Sequence, residues 1–485
     1  MRERNFLAID LGAESGRAIA GNISKGKLAL TEMHRFQNKP INTSSGLQWD
    51  MGQLWQEIKK GVFASNSKFR LESLALDAWG VDFALLDDDG RLLNNPYHYR
   101  DKRTDGMLEK AFRLAPRKQI FAQTGIQFMQ INTLYQLFAM VIAHDPQLET
   151  AQTFLTIPDL LNYWLSGRIT CEFTNATTTQ CFDPRERSWA TSLLEIFWIP
   201  TRIFPSVCEP GTSLGNLLPE VASETGAGSI PVIAPACHDT GSAVVAVPAA
   251  NQDFAWLSSG TWSILGAEVR EPILSPKALE YNFTNEGGVF GTWQLSKNIT
   301  GLWIVQECKR EWGLSYDELT RLAAEAKPFM AVIDPDAPVF LHSGNMPEKV
   351  RGFCADTKQT VPQTQGEIVR IVLESLALKY RFVLERLEEL TGKRLDPLHI
   401  FGGGTNNKLL NQFSADATGR TVIAGPVEAT AIGNILMQAI TLGEIGSLTE
   451  ARLLVRRSFE IEEYHSRKSD DWDRTYARLR SLLSS

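Results

Sequence analysis

The sequence lacks the features that mark several large classes of protein. Its formal net charge is −7, its isoelectric point is about 5.7 and no run of Lys and Arg occurs. We therefore expect no nucleic-acid partner, because duplex binding needs a concentrated basic face. The longest stretch without formal charge, 119–144, holds several Gln and Asn residues, so we expect no membrane span. No secretory segment is expected either, because Asp10 interrupts the apolar run that begins at Phe6.

Cysteine is scarce and scattered. The cysteines form no C-x-x-C pair and have no nearby His at the spacing of a zinc site. They are Cys171, Cys181, Cys208, Cys237, Cys308 and Cys354. Unpaired thiols persist where the environment is reducing, so this pattern favours a cytoplasmic protein.

The chain is long enough for more than one hydrophobic core. Its 485 residues predict two domains, 1–247 and 248–485. The 43% of apolar and 22% of charged residues are typical of a globular enzyme. We expect a monomer or a weak homo-oligomer.

The first half begins with three apolar runs that short turns separate, and each run reads as a strand. Asp50 then caps a helix whose apolar residues recur at helical spacing, and a pair of strands follows. The strands are predicted at 6–12, 17–24, 28–36, 74–79 and 81–86. The Gly-rich turn at 12–16 joins two strands, whereas Rossmann and P-loop units place a helix directly after such a turn. The predicted phosphate-binding device is therefore a hairpin.

The second half repeats this pattern. Its first two strands flank a hydroxyl-rich turn at 259–261, and a long helix opens with the capping pair Thr364 and Glu367 and stops at Gly392. The other elements are predicted as strands at 254–258, 262–268, 398–401 and 421–424, a loop at 402–405, and helices at 408–417 and 428–441. Two βββαβαβα halves predict an α/β protein of two actin-like (ribonuclease H-like) domains with an interdomain catalytic cleft.

The turn after the first strand carries groups that suit a nucleotide phosphate. Gly12 and Gly16 allow backbone N–H groups to approach phosphate oxygens. Ser15 adds a hydrogen-bond donor, and Arg17 adds a positively charged guanidinium group. Asp10 supplies a hard oxygen ligand for Mg²⁺. The alternative is an ordinary hairpin with a surface Arg, because short Gly motifs are common.

Two further loops are candidates for nucleotide contact. The segment 258–262 pairs hydroxyls with Gly260 at the position that corresponds to the first turn, although Ser and Thr are also frequent in plain turns. The three glycines at 402–404 leave bare backbone on which a flat ring such as adenine can lie. A simple strand-to-helix connection is the alternative for this loop.

The segment 236–242 (ACHDTGS) follows an apolar strand, so His238 and Asp239 are expected at a strand end, where sites on α/β sheets collect. A carboxylate there can accept the proton of a hydroxyl that attacks the γ-phosphorus of ATP. The alternative is that Asp239 only caps the next helix. The segments 79–82 and 97–101 carry the aromatic and polar groups of a sugar pocket, or else pack in the core.

Taken together and in this order, the motifs resemble those of the FGGY family of carbohydrate kinases from about residue 6 to about residue 442. The more specific pieces are 10–17 (DLGAESGR), 77–83 (DAWGVDF), 125–128 (GIQF), 132–137 (NTLYQL), 174–180 (TNATTTQ), 284–288 (TNEGG) and 424–429 (AGPVEA). Within the family they are most similar to kinases that act on L-rhamnulose.

This resemblance implies a role for each matching position. Asp239 would be the proton acceptor, and the ketose would contact Gly80, His238, Asp239, Thr240 and Asn298. ATP would contact Ala13, Glu14, Ser15, Gly16, Arg17, Thr261, Gln306 and Gly403, and Asp10 would help to hold Mg²⁺. A Glu beside a triphosphate would be repelled, so we expect the side chain of Glu14 to point outward.

The implied reaction is transfer of the γ-phosphoryl group of ATP to the C1 hydroxyl of L-rhamnulose, in the breakdown of L-rhamnose. L-Fuculose and xylulose are alternative substrates within the same family. An ATP-driven switch on an actin-like fold would be a different class of protein, but it would not need Asp239 or a sugar pocket. A sugar-binding regulator without catalysis is a further alternative, and Asp239 with both phosphate turns argues against it.

Overall fold

A computed structural model of the protein describes residues 3–483. In it, apolar runs bounded by turn residues form the strands. The strands, in chain order, are β1 (Arg4–Leu11), β2 (Ser15–Ser24), β3 (Lys27–Gln37), β4 (Pro40–Thr43), β5 (Gly46–Trp49), β6 (Leu71–Ala78), β7 (Phe83–Leu86), β8 (Thr153–Thr156), β9 (Cys171–Glu172), β10 (Phe182–Asp183), β11 (Ser188–Trp189), β12 (Val207–Cys208), β13 (Thr212–Asn216), β14 (Pro231–Ala234), β15 (Ala255–Ser259), β16 (Trp262–Val269), β17 (Thr284–Gly287), β18 (Trp293–Thr300), β19 (Leu398–Phe401), β20 (Val422–Ala424) and β21 (Glu462–Tyr464).

The helices include every one that the sequence predicted. They are α1 (Met51–Asn66), α2 (Met107–Leu114), α3 (Arg117–Thr124), α4 (Thr133–Ile142), α5 (Gln147–Thr150), α6 (Ile157–Ser166), α7 (Phe173–Thr178), α8 (Thr191–Ile196), α9 (Pro219–Thr225), α10 (Asp239–Val245), α11 (Pro276–Tyr281), α12 (Trp303–Trp312), α13 (Tyr316–Glu325), α14 (Met346–Asp356), α15 (Gln365–Thr391), α16 (Lys408–Thr418), α17 (Ala429–Thr441), α18 (Leu448–Ser458) and α19 (Asp470–Leu483). Short 3₁₀ turns occupy Lys102–Thr104, Thr201–Ile203, Pro338–Phe340 and Gly403–Asn406. Within residues 3–483, no helix has both the length and the apolar character that crossing a membrane requires.

Capping residues set the ends of the helices as predicted. The Asp50 side chain accepts a hydrogen bond from Gln53 N and opens α1. Thr364 and Glu367 form the reciprocal capping box of α15, and Gly392 ends that helix with a φ of 69°. These helix bounds are therefore fixed by local side-chain chemistry.

The described chain divides into two compact units, each held together by contacts among its own residues. The first comprises the described residues up to Ala250 together with Glu268–Leu295 and Ala429–Ser458. The second comprises Asn251–Ala267, Ser296–Glu428 and the described residues from Phe459 onward. Two segments of the second half thus belong by contact to the first unit, and the domain limits 1–247 and 248–485 stay a prediction.

The sheet of the first unit has the strand order β3-β2-β1-β6-β14-β13. Strands β1, β2 and β3 are antiparallel neighbours, whereas β6 pairs in parallel with β1, and β14 with β6. Every residue of β1 from Asn5 to Leu11 is buried, as expected for a central strand that is covered on both faces. The carboxyl ends of the parallel strands β1 and β6 therefore meet at one edge of the sheet.

The second unit repeats this strand order. From β18 onward, the strands of its sheet run β18-β16-β15-β19-β20-β21, with β15 antiparallel to β16 and parallel to β19, and β19 parallel to β20. The hairpin β15–β16 thus corresponds to β1–β2, and β19 to β6. The prediction of two related α/β units of actin-like type is confirmed.

The two strands predicted at 74–79 and 81–86 are present, but they belong to different sheets. The segment that follows β6 forms β7, but β7 pairs with β8 in a separate two-stranded sheet and does not pair with β6. Between β6 and β7, Val81 has a φ of 69° and Asp82 N donates to Gly80 O at 3.0 Å. This tight turn separates the two strands.

Helix α17 packs against the sheet of the first unit. Asn434 Nδ2 donates to Asp77 Oδ2 at 2.6 Å, and Gln438 Nε2 donates to Leu7 O at 3.0 Å. Gly433 allows close packing on α10, because a Cβ there would lie 1.7 Å from Ser242 O. The helix is thus an integral part of the first unit.

Candidate active site

The turn between β1 and β2 is the first candidate phosphate site. Gly12 N donates to Ser15 O at 2.9 Å, which closes the turn. Asn38 supports it from behind, because its backbone N donates to Glu14 O and its Nδ2 to Gly12 O, both at 3.0 Å. The side chain of Glu14 is exposed, as predicted. Sequence reasoning missed Asn38, whose only signal was a polar residue directly after a long strand.

Gly16 and Arg17 leave this turn on β2. A Cβ at Gly16 would lie 2.3 Å from the ring of Phe36, so packing within the sheet explains this glycine. Arg17 lies opposite Asp10 in the β1–β2 ladder, and its Nη2 is 2.5 Å from Asp10 Oδ2. The phosphate contacts that were predicted for both residues stay predictions.

Two aspartates lie side by side at the ends of β1 and β6. Asp10 and Asp77 are register partners in this parallel pair, and both are buried. Burial raises the pKa of Asp10 above its ordinary value, an effect that Arg17 opposes and Asp239 reinforces. Burial, and then the charge of Asp10, raise the pKa of Asp77 well above its ordinary value. The surroundings of both carboxyl groups therefore disfavour their charged forms, and Arg17 opposes this effect only in part.

The donor set of this cluster fits a hard divalent cation. Asp77 Oδ1 has no hydrogen-bond partner among residues 3–483, and Asp10 lies on the neighbouring strand. The described residues contain no group of three His, Cys, Asp or Glu side chains that could enclose a metal by themselves. Mg²⁺ usually needs only one or two carboxylates, because phosphate oxygens and water complete its shell. The carboxylates present are thus sufficient for a metal that arrives with a nucleotide.

Asp239 is the first residue of α10, and the buried strand β14 precedes it. The residue at the N-cap position is His238, so the alternative in which Asp239 itself caps the helix does not hold. Thr240 N donates to Asp239 Oδ1 at 2.5 Å, and Thr240 Oγ1 lies 3.2 Å from the same oxygen. The side chain of Asp239 is 31% exposed, which leaves it accessible to a substrate.

His238 lies between two carboxylates. Its Nε2 is 3.5 Å from Asp239 Oδ1, and its Nδ1 is 3.3 Å from Glu286 Oε2. Burial alone would lower the pKa of His238, but Glu286 and then Asp239 raise it to about 9, so the imidazole is a cation at neutral pH. The surrounding protein removes water from the Asp239 carboxylate and so raises its pKa, whereas the charge of His238 opposes that rise. Glu286 was missed as a site residue, although it lies within the motif at 284–288.

Gly80 lies next to this group in the turn between β6 and β7. Ala78 N donates to Cys237 O at 3.0 Å, and Ala78 forms a bridge with His238, which joins the turn to the start of α10. A Cβ at Gly80 would lie 2.9 Å from Thr178 Oγ1, so no side chain fits without movement. The structure thus brings Gly80, His238, Asp239 and Thr240 together in the first unit.

The aromatic residues beside Gly80 serve mainly to hold Asp82. Trp49 Nε1 and Trp79 Nε1 both donate to Asp82 Oδ2, at 2.6 and 3.0 Å, and the two indole rings are 4.3 Å apart. Asp82 is buried, which raises its pKa to about 6. Trp79 and His98 are buried as well, so packing explains them, and Tyr99 is only half-buried. Trp49 had no sequence signal.

In the second unit, the turn between β15 and β16 packs against the start of α12. Leu302 N donates to Gly260 O at 2.9 Å, and Trp303 N to Thr261 O at 3.2 Å. Gln306 lies one turn further along α12, since its N donates to Leu302 O. The structure therefore brings Thr261 and Gln306, two predicted nucleotide contacts, to the same part of the unit.

The three glycines of the loop after β19 differ in the space that a side chain would have. A Cβ at Gly404 would lie 2.0 Å from Ser259 Oγ, and one at Gly402 would lie 3.0 Å from Ser259 O. Nothing lies within 4 Å of the position of a Cβ at Gly403. Gly402 and Gly404 are therefore needed for packing on β15, while Gly403 leaves open space.

Asn298 is half-buried on β18, in the second unit. The predicted ketose contacts Gly80, His238, Asp239 and Thr240 all belong to the first unit. The grouping of Asn298 with these four residues thus stays a prediction.

Two sequence models of one family match the chain. The model of the FGGY family of carbohydrate kinases, N-terminal domain, matches residues 5–246, and the model of the C-terminal domain matches residues 255–442. Curated relatives extend this similarity to the full length. A rhamnulokinase of Bacteroides thetaiotaomicron is 43% identical over 483 residues, which cover 99% of this chain and 100% of that protein. A rhamnulokinase of Oceanobacillus iheyensis is 42% identical over 461 residues, which cover 94% and 97%.

Solved structures show the same fold at low identity. A ligand-bound xylulose kinase from Lactobacillus acidophilus superposes with a TM-score of 0.83 at 16% identity and covers 99% of both chains. A gluconate kinase from the same organism gives 0.82 at 16% identity, covering 100% of this chain and 99% of that one. Glycerol kinase of Plasmodium falciparum with ADP gives 0.78 at 16% identity, covering 99% and 98%. At these identities the similarity speaks for the fold alone.

Proposed function

Because the chain belongs to the FGGY family of carbohydrate kinases, we propose that it transfers the γ-phosphoryl group of ATP to the C1 hydroxyl of L-rhamnulose. The products would be L-rhamnulose 1-phosphate and ADP, in the breakdown of L-rhamnose. The observation that carries this proposal is the identity of 43% and 42%, over nearly the whole chain, to proteins named rhamnulokinase. Xylulose has less support, because the xylulose kinase is only 16% identical.

We propose Asp239 as the general base. Its carboxylate is accessible at the start of α10, and the pKa rise caused by the surrounding protein makes it a better proton acceptor than an exposed Asp. Thr240 holds Oδ1, so Oδ2 can receive the proton of the sugar hydroxyl as its oxygen attacks phosphorus. The positively charged His238 would stabilise the carboxylate and donate a hydrogen bond to the ketose. Gly80 and Asn298 would complete the sugar contacts.

The proposed ATP contacts are those that the family resemblance implies. In the first unit, Ala13, Glu14 and Ser15 would offer backbone N–H groups, and Gly16 and Arg17 would follow on β2. In the second unit the contacts would be Thr261, Gln306 and Gly403. The open space at Gly403 supports contact with a flat ring, and the hydrogen bonds of Asn38 support a preformed first turn.

Kinases of this family use ATP with a divalent metal, and we propose Mg²⁺ with Asp10 as its protein ligand. When bound, the ion would supply positive charge that offsets the negative charge developing on the phosphoryl group during transfer. Asp77, held by Asn434, would keep a second carboxylate beside Asp10. Arg17 would limit the repulsion between these carboxylates and the triphosphate.

A cytoplasmic location is also part of the proposal. All six cysteines are free thiols, and five of them are buried. Free thiols suit a reducing compartment. The proposed assembly state is a monomer or a weak homo-oligomer.

The test is an ADP-release assay over a panel of ketoses that includes L-rhamnulose, L-fuculose and xylulose, with the product identified by phosphorus NMR. We expect the highest kcat/KM for L-rhamnulose and a phosphate ester at C1. Asp239→Asn keeps the shape of the side chain but not the basic oxygen, so kcat should fall by about 10²- to 10⁴-fold. Calorimetric titration should show that this variant still binds ATP. A preference for another sugar would refute the substrate, and an active Asp239→Asn would refute the base.

A further inference from the structure

Helix α7 holds three separate segments of the first unit through its threonine hydroxyls. Thr174 Oγ1 accepts from His238 N at 3.1 Å, and Thr177 Oγ1 accepts from Gly287 N at 2.7 Å. Thr178 Oγ1 accepts from Val81 N at 3.2 Å. Each hydroxyl therefore satisfies one backbone N–H of a different segment.

The hydroxyl protons of these threonines are already committed. Thr174 Oγ1 donates to Glu172 Oε2 at 2.6 Å. Thr177 Oγ1 donates to Thr174 O, and Thr178 Oγ1 to Asn175 O, both at 2.8 Å. Because each proton goes to an acceptor on α7 or on its N-cap residue Glu172, the lone pairs are left for the three backbone N–H groups. All three side chains are buried, so water does not replace these contacts readily.

Each segment that is held in this way carries a residue of the candidate site. His238 directly precedes the proposed base, and Val81 directly follows Gly80. Gly287 directly follows Glu286, whose carboxylate faces His238 at 3.3 Å. The three hydroxyls thus fix the relative positions of the groups that would surround the sugar.

The segment at Val81 needs such support. A β-branched residue at a φ of 69° is strained and persists only where its surroundings impose it. Besides the bond to Thr178, the carbonyl of Val81 accepts from Thr133 Oγ1 at 2.6 Å and from Gln136 Nε2 at 3.2 Å. The turn that carries Gly80 is therefore held from two sides.

Glu172 anchors the start of α7 to the same region. Its carboxylate accepts from Thr174 N and from Cys237 N, both at 2.9 Å, and it is fully buried. Cys237 directly precedes His238, so the segment before the proposed base is fixed by two consecutive residues. Helix α7 and its N-cap therefore act on that segment together.

We infer that α7 is the positioning element of the sugar site, and that Thr174, Thr177 and Thr178 are positioning residues for phosphoryl transfer to the ketose. The inference rests on the proposed function. The three residues would not touch the substrate; they would set the places of Gly80, Glu286 and Asp239 by accepting hydrogen bonds from the neighbouring backbone. Small displacements of reacting groups are costly for catalysis, so a lost acceptor should reach the chemistry.

The test replaces two of the three acceptors, Thr174 and Thr178, with a side chain of the same shape. Thr174→Val removes the oxygen, whereas Thr174→Ser keeps it. Thr225→Val is the matched control, because Thr225 is equally buried and its hydroxyl donates only within α9, to Val221 O at 2.7 Å. Thr178→Val and Thr178→Ser repeat the comparison at the Gly80 turn. For each protein, KM for sugar, KM for ATP, kcat and Tm are measured.

We expect Thr174→Val and Thr178→Val to lose on the order of 10- to 100-fold in kcat/KM for the sugar, with KM for ATP unchanged. The Ser variants should recover most of this loss, and Thr225→Val should leave the kinetics unaltered. A purely structural role would lower Tm and the active fraction but leave KM for sugar at its wild-type value, and that result in both Val variants would overturn the inference. Should wild type reject L-rhamnulose, the proposed substrate fails, and the same comparison is made with the ketose that it accepts.

Discussion

Replacing Glu286 with Gln should lower the pKa of His238 and alter how stability depends on pH. The imidazole is 10% exposed and lies 3.3 Å from Glu286 and 3.5 Å from Asp239. Burial by itself would lower its pKa, whereas the carboxylates raise it to about 9, with Glu286 the stronger of the two. Gln has the size of Glu without its charge, so we expect the pKa of His238 to fall by roughly 1–3 pH units.

The size and sign of the stability effect follow from linkage. A rise of the pKa from 6.5 to about 9 corresponds to ~3 kcal/mol of favourable interaction with the imidazolium. Because the pKa of His238 is higher in the folded chain, this contribution is fully present below pH 6.5 and is lost as the pH rises through about 9. Wild type should therefore lose stability over this range, and Glu286→Gln should lose less.

The assay is denaturant unfolding of both proteins below pH 6.5 and above pH 9. The difference between the two proteins is the informative quantity, because other groups, such as Lys297 with a pKa lowered by burial to about 8, titrate alike in both. Carbon-13 NMR of labelled histidine gives the pKa of His238 directly, with the signal assigned by His238→Gln.

The matched control is Glu57→Gln, which removes the carboxylate of another His–Glu pair, 2.6 Å from His34 Nε2. This variant should leave the titration of His238 unchanged. The same pH dependence of stability in wild type and Glu286→Gln, together with an unshifted His238 signal, would refute the electrostatic coupling.

Further predictions concern glycines. Gly16→Ala should destabilise the fold by ~1–3 kcal/mol, because the new Cβ would lie 2.3 Å from the ring of Phe36. Gly352→Ala, within α14 and with nothing inside 4 Å, should instead stabilise it by ~0.5–1 kcal/mol, and thermal unfolding checks both signs. Gly403→Ala should weaken binding of an ATP analogue in calorimetry at constant Tm, whereas Gly404→Ala should lower Tm, because its Cβ would lie 2.0 Å from a neighbouring side-chain oxygen. Unchanged ATP affinity in Gly403→Ala would count against the proposed nucleotide contact.

Features set by neighbouring residues in the chain could be predicted from the sequence. Asp50 and the pair of Thr364 and Glu367 cap their helices through side chains three residues away from the bonded N–H, and a glycine such as Gly392 adopts a positive φ without strain. The repeated order of strands and turns likewise indicated two related units. In the site, the strand that precedes Asp239 indicated its place at a sheet edge.

Features that depend on long-range contacts could not be predicted. Asp77 is paired with Asn434 across 357 positions, and no local pattern announces such a partner. Glu286 lies beside His238 only because the fold brings two distant segments together. Asn38 contacts the first turn because β3 runs back alongside β2. Trp79 has the character of a sugar-stacking residue, yet its indole N–H is taken by Asp82.

Helix α17 has a consequence for how the chain folds as it is synthesised. The sheet of the first unit is made from residues up to Asn216 and from β14, yet its buried Asp77 and Leu7 O receive their partners from Asn434 and Gln438. After Ala250 is made, roughly 180 residues must follow before this helix begins, which takes on the order of 10–40 s at ribosomal rates. During that interval the nascent first unit would hold an apolar face and a buried carboxylate open on one side. The first unit thus completes its core only after α17, which lies far along the chain from the sheet, has been made.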